Sequence, residues 1–332
     1  MNNTIKLGLL FLLIAGITYW YTTQNSGKTT VNKTDRNFAV ADIASIHKIF
    51  IADRNGQTAT LERKENHWQY NEQWKANPNA ISNLLHTIQK VQLKYIPAHA
   101  AVGPIVKDLA TNSIKVELYD QSDKNLKTYY VGGVTNDELG TYMIMEGSNN
   151  PYVTYLPGFE GSLRIRYLLK EWEWRDKTIF EEPLEAIQSV AIEYPKQKNN
   201  SFQLVKQEKG FELTPLFGTT TNQGQPTKGK VEQFLRGFDK LIAEAFENGH
   251  TKRDSITRQL PFCILTLQRT DGQQKEVRFH PILKRDNLGG LMQRKDGRLL
   301  IDRYYANWNN RDLMLIQELV FGKVLWGYES FF

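Results

Sequence analysis

The side chains best suited to chemistry are few and scattered in this chain of 332 residues. No two of its six histidines stand at the spacing of a metal site, and none pairs with the single cysteine. Cys263 lies inside the apolar run from Phe262 to Leu265, where a buried, inert thiol is expected. The sequence has no phosphate-binding loop, no dinucleotide glycine motif and no Gly-x-Ser-x-Gly elbow. These patterns predict a non-enzymatic protein without a metal site or cofactor.

Aromatic and charged residues are interleaved between residues 160 and 182. A general acid–base pair could lie among the carboxylates, but such alternation is more typical of a salt-bridged helix face in solvent. Because Trp and Arg dominate the energetics of protein interfaces, this segment supplies the predicted binding surface. Its candidate residues are Arg164, Arg166, Trp172, Trp174 and Arg175.

The two tryptophans of this segment are expected to have different roles. On a helix, Trp172 and Arg175 share a face, whereas Trp174 points about 200° away from Trp172. One tryptophan is therefore expected to be structural while the other binds a partner, and the sequence does not say which. The alternative is that both tryptophans merely wedge between two folded units.

The elements that must position these residues occur twice, at a shift of roughly 140–150 residues. Each copy has an alternating strand, two short strands around a polar turn, a helix begun by a proline, and two hairpins. Asp271-Gly272 and Asp296-Gly297 are strong hairpin turns. The matched segments are 46–51 with 187–192, 58–70 with 201–213, 76–92 with 226–246, 113–133 with 262–282, and 140–156 with 289–305. The sequence therefore predicts an α+β fold of two tandem repeats, each an antiparallel-hairpin and helix unit.

A helical segment is expected after each copy. The first, from Ser162 to Lys177, links the repeats. The second, from Asn309 to Tyr328, is apolar almost all round, so it must be buried against its own repeat or, alternatively, against a partner or a membrane.

The amino terminus carries a predicted membrane anchor. Residues 7–21, LGLLFLLIAGITYWY, are apolar and uncharged, and no small-x-small cleavage site follows them. Their closing aromatics are typical of an interfacial belt. Lys6 favours a cytoplasmic amino terminus; the cations after the segment oppose this, but long domains are translocated largely regardless of such charge. We expect an uncleaved single-pass anchor in the inner membrane, contacting the bilayer through residues 7–21, with the carboxyl-terminal domains in the periplasm.

Composition and patterning together give the domain organisation. Apolar residues make up 40% of the chain and charged residues 23%, which suits two folded domains. The net charge of +6 is spread without a dense Lys/Arg block, so a nucleic-acid partner is not expected. The predicted divisions are an anchor at 1–25, a flexible tether at 26–44, a first repeat at 45–160, a helical linker at 161–183, and a second repeat with its carboxyl-terminal helix at 184–332.

Several segments of the first copy resemble a known bacterial family. IFIADRNGQTATLERKENHW, ANPNAISNLLHTIQKVQ, VKDLATNSIKVELYD, PYVTYLPGFEGSL and EWRDKTIF are similar to the domain of unknown function 4340. The resemblance covers residues 45 to about 182 well and the second copy loosely. It implies a membrane-anchored accessory protein, since members often stand near components of gliding-motility-type ABC transporters. It implies no activity, because the family has no established catalytic residues.

These observations favour an extracytoplasmic protein-interaction module within an inner-membrane complex, ABC-transporter-like or related to gliding. Open hairpin edges offer a partner strand a place to pair. One alternative is a hydrolase with a site between the repeats, and another is a cell-wall glycan-binding anchor protein. The oligomeric state is left open by the sequence.

Overall fold

A computed structural model describes residues 13–20, 35–218, 224–295, 297 and 299–332. The chain divides into two compact units, Met1–Asp176 and Lys177–Phe332. The boundary lies within the predicted linker at 161–183, so residues 161–176 are part of the first unit. Mixed helices and antiparallel sheets make this an α+β protein, as the sequence predicts.

Helices are few and mostly short. In the first unit they are α1 (residues 13–20), α2 (Pro78–Lys90), α3 (His99–Asn112), α4 (Arg164–Tyr167) and α5 (Glu171–Trp174). In the second unit they are α6 (Lys230–Arg236), α7 (Arg253–Thr257) and α8 (Glu318–Phe321). Short 3₁₀ turns occur at Ile43–Ser45, Leu184–Ala186, Lys198–Asn200, Gly322–Val324 and Tyr328–Phe331.

The predicted anchor at 7–21 lies partly outside the described residues, and α1 is its described part, with all eight residues exposed. Among the helices that the structure describes, none is both long and apolar enough to span a bilayer. The predicted tether at 26–44 also lies outside the described residues as far as residue 34. Its described end is folded rather than a flexible tether, because Phe38 is 3% exposed in the core of the first unit and the N–H of Val40 donates to the carbonyl of Ile88.

The first unit is built on a nine-stranded antiparallel sheet. Its strands are β1 (Lys48–Ala52), β2 (Thr58–Arg63), β3 (Trp68–Tyr70), β4 (Trp74–Lys75), β5 (Gln92–Tyr95), β6 (Ile114–Tyr119), β7 (Asn125–Val134), β8 (Thr141–Met145) and β9 (Tyr152–Tyr155). They lie in the order β4-β3-β2-β1-β6-β7-β8-β9-β5.

The core of the first unit lies between one face of this sheet and the helical layer. Ile114, Val116 and Leu118 alternate along β6 and are fully buried, as expected for a strand with one face on the core. Helix α2 begins where Asn77 caps it and Pro78 takes the first helical position. Its apolar stripe, with residues three and four apart, faces the same core.

The second unit has an eight-stranded antiparallel sheet and a separate strand pair. Its strands are β10 (Thr178–Phe180), β11 (Ile187–Glu193), β12 (Phe202–Gln207), β13 (Gly210–Pro215), β14 (Leu241–Ile242), β15 (Ala245–Phe246), β16 (Cys263–Arg269), β17 (Gln274–Leu283), β18 (Ile301–Trp308) and β19 (Asp312–Gln317). The large sheet has the order β13-β12-β11-β16-β17-β18-β19-β15, and β10 pairs with β14.

Apart from β4 and the β10–β14 pair, the two units have the same strand order. Strands β1 to β3 correspond to β11 to β13, β6 to β9 correspond to β16 to β19, and β5 corresponds to β15. The registers agree as well: Ile114 pairs with Val131 in the first unit, and Cys263 pairs with Phe279 in the second. The hairpins predicted at 113–133 and 262–282 are confirmed, and Gly272 turns the second with φ +85°.

Four predicted elements are wrong in extent or type. The predicted helix at 226–246 is helical only in α6, and β14 and β15 occupy its second half. The predicted linker helix at 162–177 is broken into α4 and α5. The predicted hairpin at 289–305 is an irregular segment followed by β18, which pairs with β17 and β19.

The predicted carboxyl-terminal helix at 309–328 is the largest of these corrections. Residues 312–317 form β19, an inner strand of the second unit's sheet, and only four residues of α8 follow as α-helix. Leu313, Met314 and Ile316 are fully buried, so neighbouring residues are covered on both faces. A strand buried on both faces is apolar without alternation, and its sequence therefore resembles that of a buried helix.

Candidate interaction surface

Residues 162–176 fold back onto the helical layer of the first unit. Tyr167 of α4 and Trp174 of α5 are 0% and 1% exposed. The Tyr167 hydroxyl lies 3.2 Å from that of Tyr129, and the Trp174 ring stacks on Tyr70 with centroids 6.4 Å apart. Burial raises the pKa of both the Tyr129 and Tyr167 phenols, so this hydrogen bond joins two neutral hydroxyls. Two buried aromatics therefore fix the segment to the core.

The main chain fixes the same segment at its other end. The backbone N–H of Asn77 donates to the carbonyl of Trp174 at 2.7 Å, and the Asn77 amide donates to the carbonyl of Glu173 at 3.1 Å. The N–H of Asp176 donates to the carbonyl of Lys75 at 2.8 Å. The start of α2 and the end of α5 thus satisfy each other's terminal backbone groups.

Two of the predicted binding residues make structural contacts. The Arg164 guanidinium donates to the carbonyls of Asn112 and Val131, at 2.7 Å and 3.1 Å, and so closes the carboxyl end of α3. Arg175 is 4% exposed, and its guanidinium lies 3.6 Å from the centre of the Trp74 ring. A contact of this kind is a cation–π interaction, which burial strengthens. Arg164 and Arg175 therefore hold the segment in place.

The other predicted residues reach the surface or are buried in the unit's core. Trp172 is 46% exposed, with the Lys170 ammonium 5.2 Å above its ring, whereas Trp174 packs in the core of the first unit. Arg166 is half-buried, and its guanidinium lies 4.6 Å from the ring centre of Phe159. Burial thus distinguishes the two tryptophans, since Trp174 packs in the core and Trp172 is exposed; the expected division of their roles stays a prediction.

Sequence reasoning missed Ile165, which is 58% exposed on α4. Ile165 lies between two arginines, in a segment interpreted as a charged helix face. An Ile flanked by charged residues on a short helix is nevertheless a sign of an exposed apolar side chain. We call Ile165, Arg166, Lys170 and Trp172 the Trp172 surface. Lys170 lies over the Trp172 ring, Ile165 is on the neighbouring helix α4, and the buried side chains of Tyr167 and Trp174 anchor the backbone that carries them. Exposed Trp and Arg are residue types enriched among the energetically dominant residues of protein interfaces.

Two of the residues considered for chemistry, Cys263 and His250, belong to the second unit. Cys263 is fully buried, and burial raises the pKa of its thiol, as expected for an inert cysteine. The imidazole of His250 accepts the Lys252 N–H through Nδ1 and contacts the Tyr305 hydroxyl through Nε2. Within the described part of the chain, no three His, Cys, Asp or Glu side chains are grouped so as to hold a metal ion.

Residues 106–260 match the model of a family described as a domain of unknown function, DUF4340. The match begins within α3 of the first unit and ends just after α7 of the second. The resemblance to this family is therefore confirmed, although the matched stretch starts and ends later than the 45–182 segment expected from the sequence. No curated protein and no solved structure matches the chain.

Proposed function

We propose that this protein is a membrane-anchored, extracytoplasmic interaction module that binds a partner protein through the Trp172 surface. The observation that carries the proposal is the contrast within α4 and α5, where Tyr167 and Trp174 are buried while Ile165 and Trp172 stand exposed. An exposed tryptophan on a rigid backbone loses little conformational entropy on binding, and Trp is enriched among interface residues of high energy.

The proposed partner is a protein of an inner-membrane complex, ABC-transporter-like or gliding-related, and the proposed anchor is residues 7–21. The resemblance to DUF4340 implies this setting, since members often stand near components of gliding-motility-type ABC transporters. The common strand order of the two units supports a further proposal, that the units arose as tandem copies of one α+β repeat.

The test is co-purification of the full chain from native membranes after chemical crosslinking. We expect Trp172→Ala to reduce the recovered partner at least tenfold while the thermal melt stays unchanged. Leu126→Ala is the matched control, because Leu126 is a 36% exposed apolar residue at a hairpin of the same unit. Equal partner recovery from Trp172→Ala, the control and the parent chain would contradict the proposed surface.

Topology has a separate test. A reporter fused after Phe332 is expected to be active only outside the cytoplasm, and amino-terminal sequencing is expected to find residues 7–21 still attached. Activity of the reporter only in the cytoplasm would contradict the extracytoplasmic setting, whereas a mature chain that begins near residue 22 would contradict the anchor alone.

A further inference from the structure

The two units differ most in the length of one connection between neighbouring strands. In the first unit, β7 and β8 are joined by residues 135–140. In the second unit, the corresponding strands β17 and β18 are joined by residues 284–300. The described residues 284–295 of this longer connection form what we call the basic arm. Two isolated backbone bridges hold the connection, between Arg285 and Leu291 and between Gln293 and Leu299.

The tip of the basic arm exposes a leucine almost completely. Leu288 is 97% exposed, the largest value among the described large apolar residues, and Leu291 is 44% exposed. The turn beneath the tip is well ordered by hydrogen bonds. One carboxylate oxygen of Asp286 accepts the N–H groups of Leu288 at 2.9 Å and Gly290 at 2.7 Å. The structure therefore presents Leu288 on a defined turn.

The charge of the basic arm is positive. Four cations flank the tip, and one carboxylate, that of Asp286, is engaged by the turn. The cations are exposed, and none of them forms an ion pair with another described residue; they are Lys284, Arg285, Arg294 and Lys295. The corresponding connection in the first unit has an exposed leucine too, Leu139 at 49%, but Asp137 and Glu138 precede it. The two connections thus share an exposed leucine and differ in the sign of their charge.

We propose that the basic arm docks on an anionic membrane surface, with Leu288 inserted among the lipids and the four cations at the headgroups. A bilayer accepts a single protruding side chain, because it requires no complementary shape. A protein interface instead concentrates its energy in recessed, shielded pockets. Exposed cations spaced along a loop suit the diffuse charge of anionic headgroups, whose attraction extends over about a Debye length.

The inference takes its membrane setting from the proposed function. It adds a second, reversible contact, made by the carboxyl-terminal unit, to the one proposed for residues 7–21. Buried apolar area and electrostatic attraction act together in such contacts, and each alone gives weak binding. The basic arm combines both in twelve residues.

The test places an environment-sensitive fluorophore on Leu288→Cys in the full chain. Cys263 is fully buried with a raised pKa, so the introduced thiol is the one that reacts. The chain is added to nanodiscs of phosphatidylcholine alone or of equal parts phosphatidylcholine and phosphatidylglycerol. We expect a blue shift and a severalfold rise in emission with the anionic nanodiscs alone, lost in high salt and in the Arg294→Glu/Lys295→Glu variant.

Leu139→Cys, labelled in the same way, is the matched control and is expected to keep the emission of a water-exposed probe throughout. A probe at residue 288 that stays in water while the chain is bound to anionic nanodiscs overturns the inference and leaves the proposed anchor intact. A probe that is already shielded without anionic lipid overturns it in favour of a protein contact. A chain that binds neither kind of nanodisc contradicts both the anchor and the arm.

Discussion

The two units have the same strand order but carry different residue types at corresponding positions. The N–H of Val40 donates to the carbonyl of Ile88 in the first unit, and the N–H of Glu182 donates to that of Phe238 in the second. Val40 packs against the first core, whereas Glu182 is a fully buried carboxylate at the corresponding place. The two units thus share their sheet, while matched positions outside its strands carry very different chemistry.

A lysine at matched register shows the same divergence. Lys127 lies opposite Leu118, and its ammonium donates to the carbonyls of Asn37 and Ala39. Burial lowers the pKa of Lys127. Lys275 lies opposite Leu267 and instead binds the Glu182 carboxylate at 2.6 Å.

The open edges of the two sheets differ as well. Strand β5 ends the first sheet with four residues and is followed by Ile96, which is 48% exposed. Strand β15 ends the second with two residues, and beside it the Lys177 ammonium donates to the carbonyl of Glu244 at 2.7 Å. Short edges with charged neighbours resist pairing with other chains. Strand β5 carries a lysine too, Lys94, whose ammonium donates to the carbonyl of Leu139 at 2.9 Å, so the second edge differs mainly in being shorter.

The largest expected effect concerns the tryptophan that α5 buries in the first unit. We expect Trp174→Ala to lower the free energy of unfolding by about 3–5 kcal/mol, because it removes a fully buried indole. Trp172→Ala is expected to change it by less than about 0.5 kcal/mol, as for other surface substitutions. Urea unfolding followed by circular dichroism measures both. If both variants lose the same free energy of unfolding, Trp174 is not more important for stability than Trp172.

The next effect concerns Glu182, whose carboxylate contacts Arg269 and Lys275. Glu182→Val installs the residue of the first unit and is expected to cost about 3 kcal/mol, the low end for breaking a buried ion pair. The low end applies because both cations are about one-quarter exposed and keep part of their water. Adding Lys275→Met to this variant should recover part of the loss in urea unfolding. A Glu182→Val chain as stable as the parent would mean that the two positions are interchangeable.

A smaller effect is expected at Gly132, which occupies the register position of His280 in the other unit. A Cβ there would lie 2.5 Å from Leu109 Cδ2, so Gly132→Ala should overpack α3 against the sheet and cost about 1–3 kcal/mol. Gly133→Ala is the control, since its Cβ would meet only the Asp108 carboxylate, at 3.7 Å. Thermal melts that fail to separate these neighbours would contradict the close packing of α3.

The smallest expected effect is a pH dependence confined to the second unit. His280 is 4% exposed, and burial, together with the Arg278 charge, lowers its pKa. The unfolded chain binds a proton below about pH 6.5 while the folded unit resists it, so stability is full above that pH and falls as the pH drops through the lowered pKa. His280→Leu should flatten this dependence in thermal melts between pH 7 and 5. If the melting temperature of the variant depends on pH as steeply as that of the parent chain, another titrating group is responsible for the dependence.

The sequence predicted most strands and hairpins because their signals are local. Alternation along β6 and β16 and the turn at Asp271-Gly272 require no distant partner to be recognised. Helix α2 was predicted for the same reason, since its cap, its proline and its apolar stripe are all contiguous.

For segments whose sequence pattern fits either a helix or a strand, contacts with distant parts of the chain determined the structure. Residues 313–316 of β19 are apolar without alternation, and only pairing with β18 and β15 makes them part of a strand. Residues 241–246 continue the helical pattern of α6 in sequence. In the structure, however, Leu241–Ile242 pair with β10 and Ala245–Phe246 pair with β19, in two different sheets. Ladder hydrogen bonds to distant strands outweigh the small differences in local propensity.

By itself, the sequence determined the α+β class, the order of most elements, the inert thiol and the expectation that Trp172 and Trp174 have opposite roles. Only the tertiary structure decided that Trp174 is the buried one, that Arg164 and Arg175 make structural contacts, and that Leu288 stands exposed on a turn flanked by exposed cations. The physical reason is that helical periodicity fixes the angle between two side chains, whereas burial depends on which surface the rest of the chain brings against them.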